Sequence, residues 1–413
     1  MSTKLLDRLE ELYPEMVELR RYLHENPELS FEEVKTPIMI AEYLEELGIE
    51  VKRGVGGRGV VGWIRGGKPG KTIAVRADFD ALPIQEETDV PYQSKIPGVM
   101  HACGHDAHTA TLVGIAKALS ENRHELSGNV VLIHQFAEEL SPGGAKPMIE
   151  DGCLDGVDAI FGTHIWSTMP VGEVSYCSGP VMAAADAFDI EIIGKGGHGA
   201  APHETIDSIV VASQFVTSIQ QIVSRNMDPL KSAVISVGSF HAGNAFNVIA
   251  DKVKLNGTVR TFDPAVQDEI IEKLERHLKG VCEASGATYK FEYRKGYPAV
   301  VNHEAETNHL AQVAKTIVGE ENVKKMAPMM GGEDFAYYLQ KVPGTFFFTG
   351  AGNEAEGIVY PHHHPKFNLD EKSMLIAAKV LTKAVIEYME DGTNGNGREE
   401  GSTNERDVKQ KTT

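Results

Sequence analysis

Apolar residues recur at steps of three and four through Leu5, Leu9, Leu12, Met16, Leu19 and Leu23, which lays one stripe along a helix. That helix should end near Asn26-Pro27, because proline disfavours helical backbone in the residue before it. Short unbroken apolar runs follow at 72–75, 130–136 and 159–161, separated by helical patterns such as 109–119. Strands buried on both faces read as continuous apolar runs. Their alternation with helices predicts an α/β fold built on a mostly parallel sheet flanked by helices.

The middle of the chain is patterned differently. Phe188, Ile190 and Ile192 alternate, 206–223 is helical, 233–240 and 252–260 read as strands, 266–282 as a helix and 289–293 as a last strand. This βαββαβ order is the ferredoxin-like split unit, a compact α+β fold by itself. It predicts a domain inserted at 186–298 between two parts of a larger domain, 1–185 and 299–390, the second of which includes the strand-like run 344–349. The tail, 391–413, is polar, glycine-bearing and almost free of large apolar groups, and is expected to be disordered.

Length and composition agree with two domains. The 413 residues are 42% hydrophobic and 24% charged, enough to bury a sizeable core. A formal net charge of −19 argues against nucleic acid and anionic membrane surfaces as partners. The N-terminal segment lacks the basic, apolar and small-residue succession of a signal peptide. No apolar run approaches the ~20 residues of a membrane span. Cys103, Cys153, Cys177 and Cys282 are scattered with no CxxC pair, so a disulfide framework is not expected and a cytoplasmic location is.

Polar clusters sit just after the apolar runs: Arg76, Asp78 and Asp80 after the first, Glu138-Glu139 after the second, and Thr163-His164 after the third. Ligands of open parallel sheets bind outside the carboxyl ends of strands, so these clusters can converge on one crevice. Two more clusters are His101-Ala-Cys103-Gly-His105-Asp106-Ala-His108 and His362-His363-His364-Pro365. Imidazole, thiolate and carboxylate together are the donors of zinc and related metals. A lone histidine such as His24, His241 or His277 reads as an ordinary surface or satisfied group. Cys103-x-His105 alone leaves structural and ligand roles open. Its combination with Glu139, His164 and a late histidine-rich loop points to a metal site.

The segments MHACGHDAHT, FAEE, GTHIW, GKGGHGAAPH, NVIAD, GTVRTF, MGGEDFAYY and HHHPKF, in this order, resemble the aminoacylase and hippurate-hydrolase branch of the dinuclear-metal peptidases. This branch of N-acyl-amino-acid amidohydrolases also contains plant indole-acetyl-amino-acid hydrolases and bacterial N-acetyl-diaminopimelate deacetylases. The similarity runs from RRYLHENPELSFEE to the helix after PKFNLDE and omits only the tail.

The resemblance implies two divalent ions per chain, of zinc, manganese, cobalt or nickel, held by Cys103, His105, Glu139, His164 and His363. Among the three consecutive histidines, the family's His-x-Pro pattern selects His363 by way of Pro365. Glu138 is implied as general base. Neighbours in an extended chain point to opposite sides, so Glu139 can bind metal while Glu138 faces substrate. Asp80 is implied as the partner that orients a histidine ligand, although a turn or cap role stays open for both Asp78 and Asp80. On the inserted domain, His198 is implied to close over the substrate and stabilise its oxyanion. Asn247 and Arg260 would grip the substrate carboxylate. Glu333 would either support the site from below or contact the substrate amine.

The expected reaction is hydrolysis of the amide of an N-acyl-L-amino acid to a carboxylate and a free amino acid, by a homodimer or homotetramer. A metallo-carboxypeptidase or dipeptidase is the alternative of the same chemistry, and a catalytically silent metal-binding homologue the alternative of another class.

Overall fold

The computed structural model describes residues 1–391. Its first helix, Ser2–Glu25, buries Leu5, Leu9, Leu12, Met16 and Leu23 along the expected stripe and stops before Pro27. It crosses the helix His105–Glu121, and both pack with the last helix, Lys372–Asp391, over one face of a sheet. The expectation for the tail lies outside the described residues, apart from Asp391, which ends that last helix.

The sheet has eight strands, in the spatial order Glu50–Val55, Gly59–Arg65, Ser127–Gln135, Lys68–Asp78, Ala159–Pro170, Gly344–Gly352, Val174–Tyr176 and Val323–Lys325. The four central strands are parallel to one another, as their continuous apolar runs require. The first two strands join antiparallel at one edge, and Val174–Tyr176 runs antiparallel to Gly344–Gly352 near the other. Val130 to Ile133, Ile73 to Val75, Ala159 to Phe161 and Phe346 to Phe348 are all buried, forming the centre of one large apolar cluster.

A second apolar cluster is separate from the first. It lies between a four-stranded antiparallel sheet, in the order Ala233–Ala242, Lys252–Thr261, Ala184–Ile193 and Thr288–Tyr297, and the helices Ser208–Ser218 and Pro264–Ser285. Phe188, Ile190, Phe215, Leu255, Leu274 and Leu278 are among its buried members. Truncating one of these to alanine should cost roughly 2–5 kcal/mol. The strand and helix order is the ferredoxin-like one. The helical stretch expected over 206–223 is broken into Ser208–Ser218 and Gln220–Arg225, with Ile219 buried at the break.

No helix among the described residues is long and apolar enough to cross a membrane. All four cysteines are free.

Candidate metal centre

The strands Lys68–Asp78 and Ser127–Gln135 run parallel with Asp78 opposite Gln135, so Asp80, Glu138 and Glu139 emerge side by side past their carboxyl ends. His164 lies on the adjacent parallel strand. Cys103 and His105 arrive from the other direction, on either side of Gly104 at the start of the helix His105–Glu121. Gly104 has φ 89°, left-handed backbone that favours glycine. This turn presents Cys103 and His105 to the same space.

Cys103, His105 and Glu139 offer donor atoms within 4.8 Å of one another, and Cys103, His164 and His362 do the same. Cys103 therefore belongs to two adjoining donor groups, with its Sγ 3.4 Å from His164 Nε2. His363 joins on the other side, its Nε2 3.1 Å from Glu139 Oε1. Of the histidine-rich loop, His363 is thus set against Glu139 and His362 against Cys103 and His164, while His364 stacks on Tyr360. His362 was not among the ligands inferred from sequence. Its Nε2 accepts from the Ser167 N–H at 3.2 Å, and its Nδ1 is buried with no partner.

The histidines are oriented from behind. His105 Nδ1 lies 3.0 Å from the Asp80 carbonyl oxygen and 3.2 Å from Asp80 Oδ1. Its Nε2 is buried with no hydrogen-bond partner. His164 directs Nδ1 at the Ile165 carbonyl, 2.9 Å away, which turns Nε2 toward Cys103. A buried imidazole nitrogen left bare beside a thiol and a carboxylate is what a divalent-metal site requires, so these residues fit such an ion. Asp78, His105 and His108 also lie close together, but both nitrogens of His108 are in use. Nδ1 is 2.6 Å from Asp78 Oδ1, and Nε2 accepts from the Ile165 N–H at 2.9 Å.

The electrostatics are those of a site short of positive charge. Burial, then Glu139 and Glu138, push the Cys103 thiol well above its usual range. His105 is pushed up to about 10: burial opposes its charge, but Asp78, Asp80 and Glu139 outweigh it. Cations would relieve both.

Glu138 points elsewhere. Its carboxylate groups with those of Glu333 and Asp334 within 4.8 Å, outside both groups that contain Cys103. Burial, then Glu333 and Glu139, raise it well above the ordinary carboxyl value. Beneath it the buried Arg76 guanidinium binds Asp78 at 2.6 Å, Glu333 and Asp334 at 3.0 Å each, and Gln135 at 2.9 Å. Glu333 also accepts from the Phe335 N–H at 2.8 Å and is 1% exposed. Even so, burial drives Glu333 up to about 8. From sequence, Asp334 was placed only with the 331–335 segment expected to shape the floor of the site, and Arg76 and Gln135 were given no role of their own. The available signal was period two along the strand, which puts Arg76 on the same side as Asp78.

Among the described residues three non-glycine residues have positive φ, and all border this site: Phe31 at 65°, Ala137 at 50° and His363 at 64°. Such strain persists where surrounding contacts over-determine it. Ser30 Oγ donates to Asp80 Oδ2 at 2.7 Å, and the Ala137 N–H donates to the buried Glu33 at 2.9 Å. The 27–33 segment thereby braces both Asp80 and the tandem glutamates. His24, read as an ordinary surface or satisfied group, is satisfied but fully buried, between Asp106 at 2.7 Å and Glu86 at 3.3 Å.

The other sequence candidates lie on the four-stranded unit. His198 is exposed and pairs in a short ladder with Val248. Its Nδ1 accepts from the Ala200 N–H at 3.0 Å. Asn247 is its neighbour through Gly199 N–H to Asn247 O, 2.8 Å. Arg260 contacts Thr258 Oγ1 and the Val259 carbonyl. Among the described residues no hydrogen bond or ion pair joins these three to the Cys103 donor groups.

The sequence profile of Peptidase family M20/M25/M40 matches residues 74–387. The chain is 45% identical over 388 residues to thermostable carboxypeptidase 2 of Saccharolobus solfataricus, covering 93% of this chain and 98% of the relative. It is 47% identical over 306 residues to an N-acyl-L-amino acid amidohydrolase of Geobacillus stearothermophilus, covering 74% of this chain and 82% of that one. Among solved structures, a Bacillus subtilis protein described as a dinuclear metal binding peptidase from the M20 family superposes with a TM-score of 0.79 at 37% identity, over 92% of this chain and 99% of that chain.

Proposed function

Because this chain belongs to peptidase family M20/M25/M40, we propose that it is a metal-dependent amidohydrolase that splits N-acyl-L-amino acids into a carboxylate and a free amino acid. The observation that carries the reading is Cys103 shared between two donor groups, with Glu138 outside both. Cys103, His105, Glu139, His164 and His363 would hold two divalent ions of zinc, manganese, cobalt or nickel, and His362 would add a sixth donor. Ions bound there would polarise the scissile carbonyl and acidify the attacking water.

Glu138 takes the proton of that water and delivers it to the nitrogen of the departing amino acid. Burial, then the neighbouring Glu333 and Glu139, raise its proton affinity, which suits a group that carries a proton between two steps. Residues 186–298 act as a lid. His198 comes from it to stabilise the oxyanion, in its own chain or across a homodimer or homotetramer, and Asn247 and Arg260 grip the α-carboxylate. Phe246, fully exposed beside Asn247, and the half-exposed Val248 support a lid tip covered by substrate or by a second subunit. Glu333, buried and held by Arg76, serves from beneath Glu138 in preference to touching the substrate amine. Four free cysteines suit a cytoplasmic setting.

A carboxypeptidase reading has a specific support, the name of the Saccharolobus relative. Both substrates present the same bond, R–CO–NH–CHR′–COO⁻, and differ only in R. The test is release of amino acid by metal-loaded protein from N-acetyl- and N-benzoyl-amino acids against N-blocked and free peptides. Faster turnover of the simple acyl substrates supports the proposal, and faster turnover of peptides supports the alternative. Metal binding without turnover of either marks a silent homologue.

A further inference from the structure

Tyr297 stands where the chain leaves the four-stranded unit. It is the last residue of the strand Thr288–Tyr297 and pairs with Ala185 after an irregularity in the ladder. Its side chain nonetheless lies in the larger domain. The hydroxyl donates to the main-chain carbonyl of Glu138 at 2.7 Å, and the ring meets Tyr337 edge-on at 6.3 Å. The turn after the tandem glutamates is folded onto it. A Cβ at Gly143 would come within 2.9 Å of the Tyr297 ring and 3.1 Å of its hydroxyl.

The peptides around Glu138 are fixed at four points. The Ala137 N–H donates to Glu33, and the Ala137 carbonyl accepts from the Gly144 N–H. The Glu139 N–H donates to Asp80, and the Glu138 carbonyl accepts from Tyr297. Three of these anchors belong to the larger domain, and the fourth rides on the strand end of the lid. Among the described residues, one other side-chain hydrogen bond joins 186–298 to the rest, from Tyr337 Oη to the Gly296 carbonyl at 3.3 Å. It runs the opposite way and touches nothing of Glu138. Burial, then Asp334 and Glu138, push the Tyr297 phenol far above its ordinary range, so it stays a donor.

We infer that Tyr297 is a positioning residue through which the lid holds the main chain of Glu138, so that lid orientation and general-base geometry are set together. The inference rests on the reading of Glu138 as the base and of 186–298 as a lid. When the lid turns about its strand connections, the Tyr297 hydroxyl moves with it, and the Glu138 peptide is released from or drawn to its working position. A side chain lodged this way adds no contact to the substrate, so its removal should affect turnover more than binding.

The experiment compares Tyr297→Phe with Tyr337→Phe in the full-length, metal-loaded protein. Each change deletes one hydroxyl and keeps the ring. Metal content, melting temperature, kcat and KM on an N-acetyl amino acid are measured. So is the distance distribution between probes introduced as unnatural amino acids at Lys4 and Lys279, each 62% exposed. Tyr297→Phe is expected to keep its metal, to lose kcat roughly 3- to 10-fold, the size of one neutral hydrogen bond, with KM within about twofold, and to broaden the lid distribution. Tyr337→Phe is expected to hold kcat within about twofold. An unchanged kcat in Tyr297→Phe, an equal loss in both variants, or an unaltered lid distribution in Tyr297→Phe would overturn the inference. Turnover by the wild type in the same assay separates this from failure of the underlying reading, in which no protein would turn over.

Discussion

Asp80 and His105 are joined through the imidazole Nδ1, 3.2 Å from Asp80 Oδ1, and this contact turns a bare, buried Nε2 toward Cys103 and Glu139. The other oxygen of Asp80 accepts from Ser30 and from the Glu139 N–H. One carboxylate therefore sets two proposed ligands at once. Asp80→Asn is expected to lower metal affinity about 10- to 100-fold, as loss of such an orienting partner does, in competition with a chelator of known strength. An affinity equal to wild type would leave Asp80 a turn residue only.

Metal binding should release protons. Burial and the neighbouring Glu139 and Glu138 keep the Cys103 thiol protonated well above its usual range when no cation is bound. The ion must displace that proton to gain a thiolate. Apparent metal affinity is therefore expected to rise with pH through the neutral range, with a proton release visible by calorimetry in buffers of different ionisation enthalpy. Cys103→Ala should bind more weakly and with a shallower pH dependence. Identical pH dependence in the two proteins would exclude the thiol from the site.

Glu138 and Glu139 are neighbours whose carboxylates reach different groups of partners, Glu333 and Asp334 for the first, Cys103 and His105 for the second. Glu138→Gln should retain its metal while kcat falls about 10²- to 10⁴-fold, the usual effect of losing general acid–base catalysis. Glu139→Gln should lose metal first. Elemental analysis beside steady-state kinetics separates the two, and the reverse pattern would exchange their roles.

Much of this was legible in the sequence because the signals are local. The central strands are unbroken apolar runs, and the polar residues just past their ends became the proposed donors. The βαββαβ order of 186–298 appears as a change of period. What was not legible depends on long-range geometry. Nothing near Tyr297 distinguishes it from an aromatic at a sheet edge, since its partner is 159 residues away. Arg76 reads as a charge ending a strand until Glu333 and Asp334 arrive from the far end of the chain. His362 and His363 are distinguished in sequence by the family's His-x-Pro pattern alone, which gives His362 no part. Only the positive φ of His363 and its N–H bond to the Ala102 carbonyl turn the two rings to different partners. The outermost antiparallel strand escaped because Glu50–Val55 is mostly exposed and carries no apolar run.

His134 offers a test of stability away from the site. It is buried in the central sheet, neither nitrogen has a partner, and burial pushes it down to about 3. The unfolded chain takes up a proton near pH 6.5 that the folded protein refuses, so this group's contribution is intact above pH 6.5 and lost progressively between pH 6.5 and 3. By pH 5 the loss should reach about 2 kcal/mol. Denaturant unfolding of metal-free protein at pH 7 and pH 5 should show a smaller decline for His134→Leu than for wild type. Parallel declines would mean that His134 is protonated in the folded state.

The most direct test of the whole account is titration of metal-stripped protein with a single divalent ion while hydrolysis of an N-acetyl-L-amino acid is followed. The donor set exceeds what one tetrahedral site requires, so activity is expected to be absent without metal and to saturate at about two ions per chain. Hydrolysis that survives complete removal of metal, or a fully loaded protein that releases no amino acid from any acyl or peptide substrate, would contradict it.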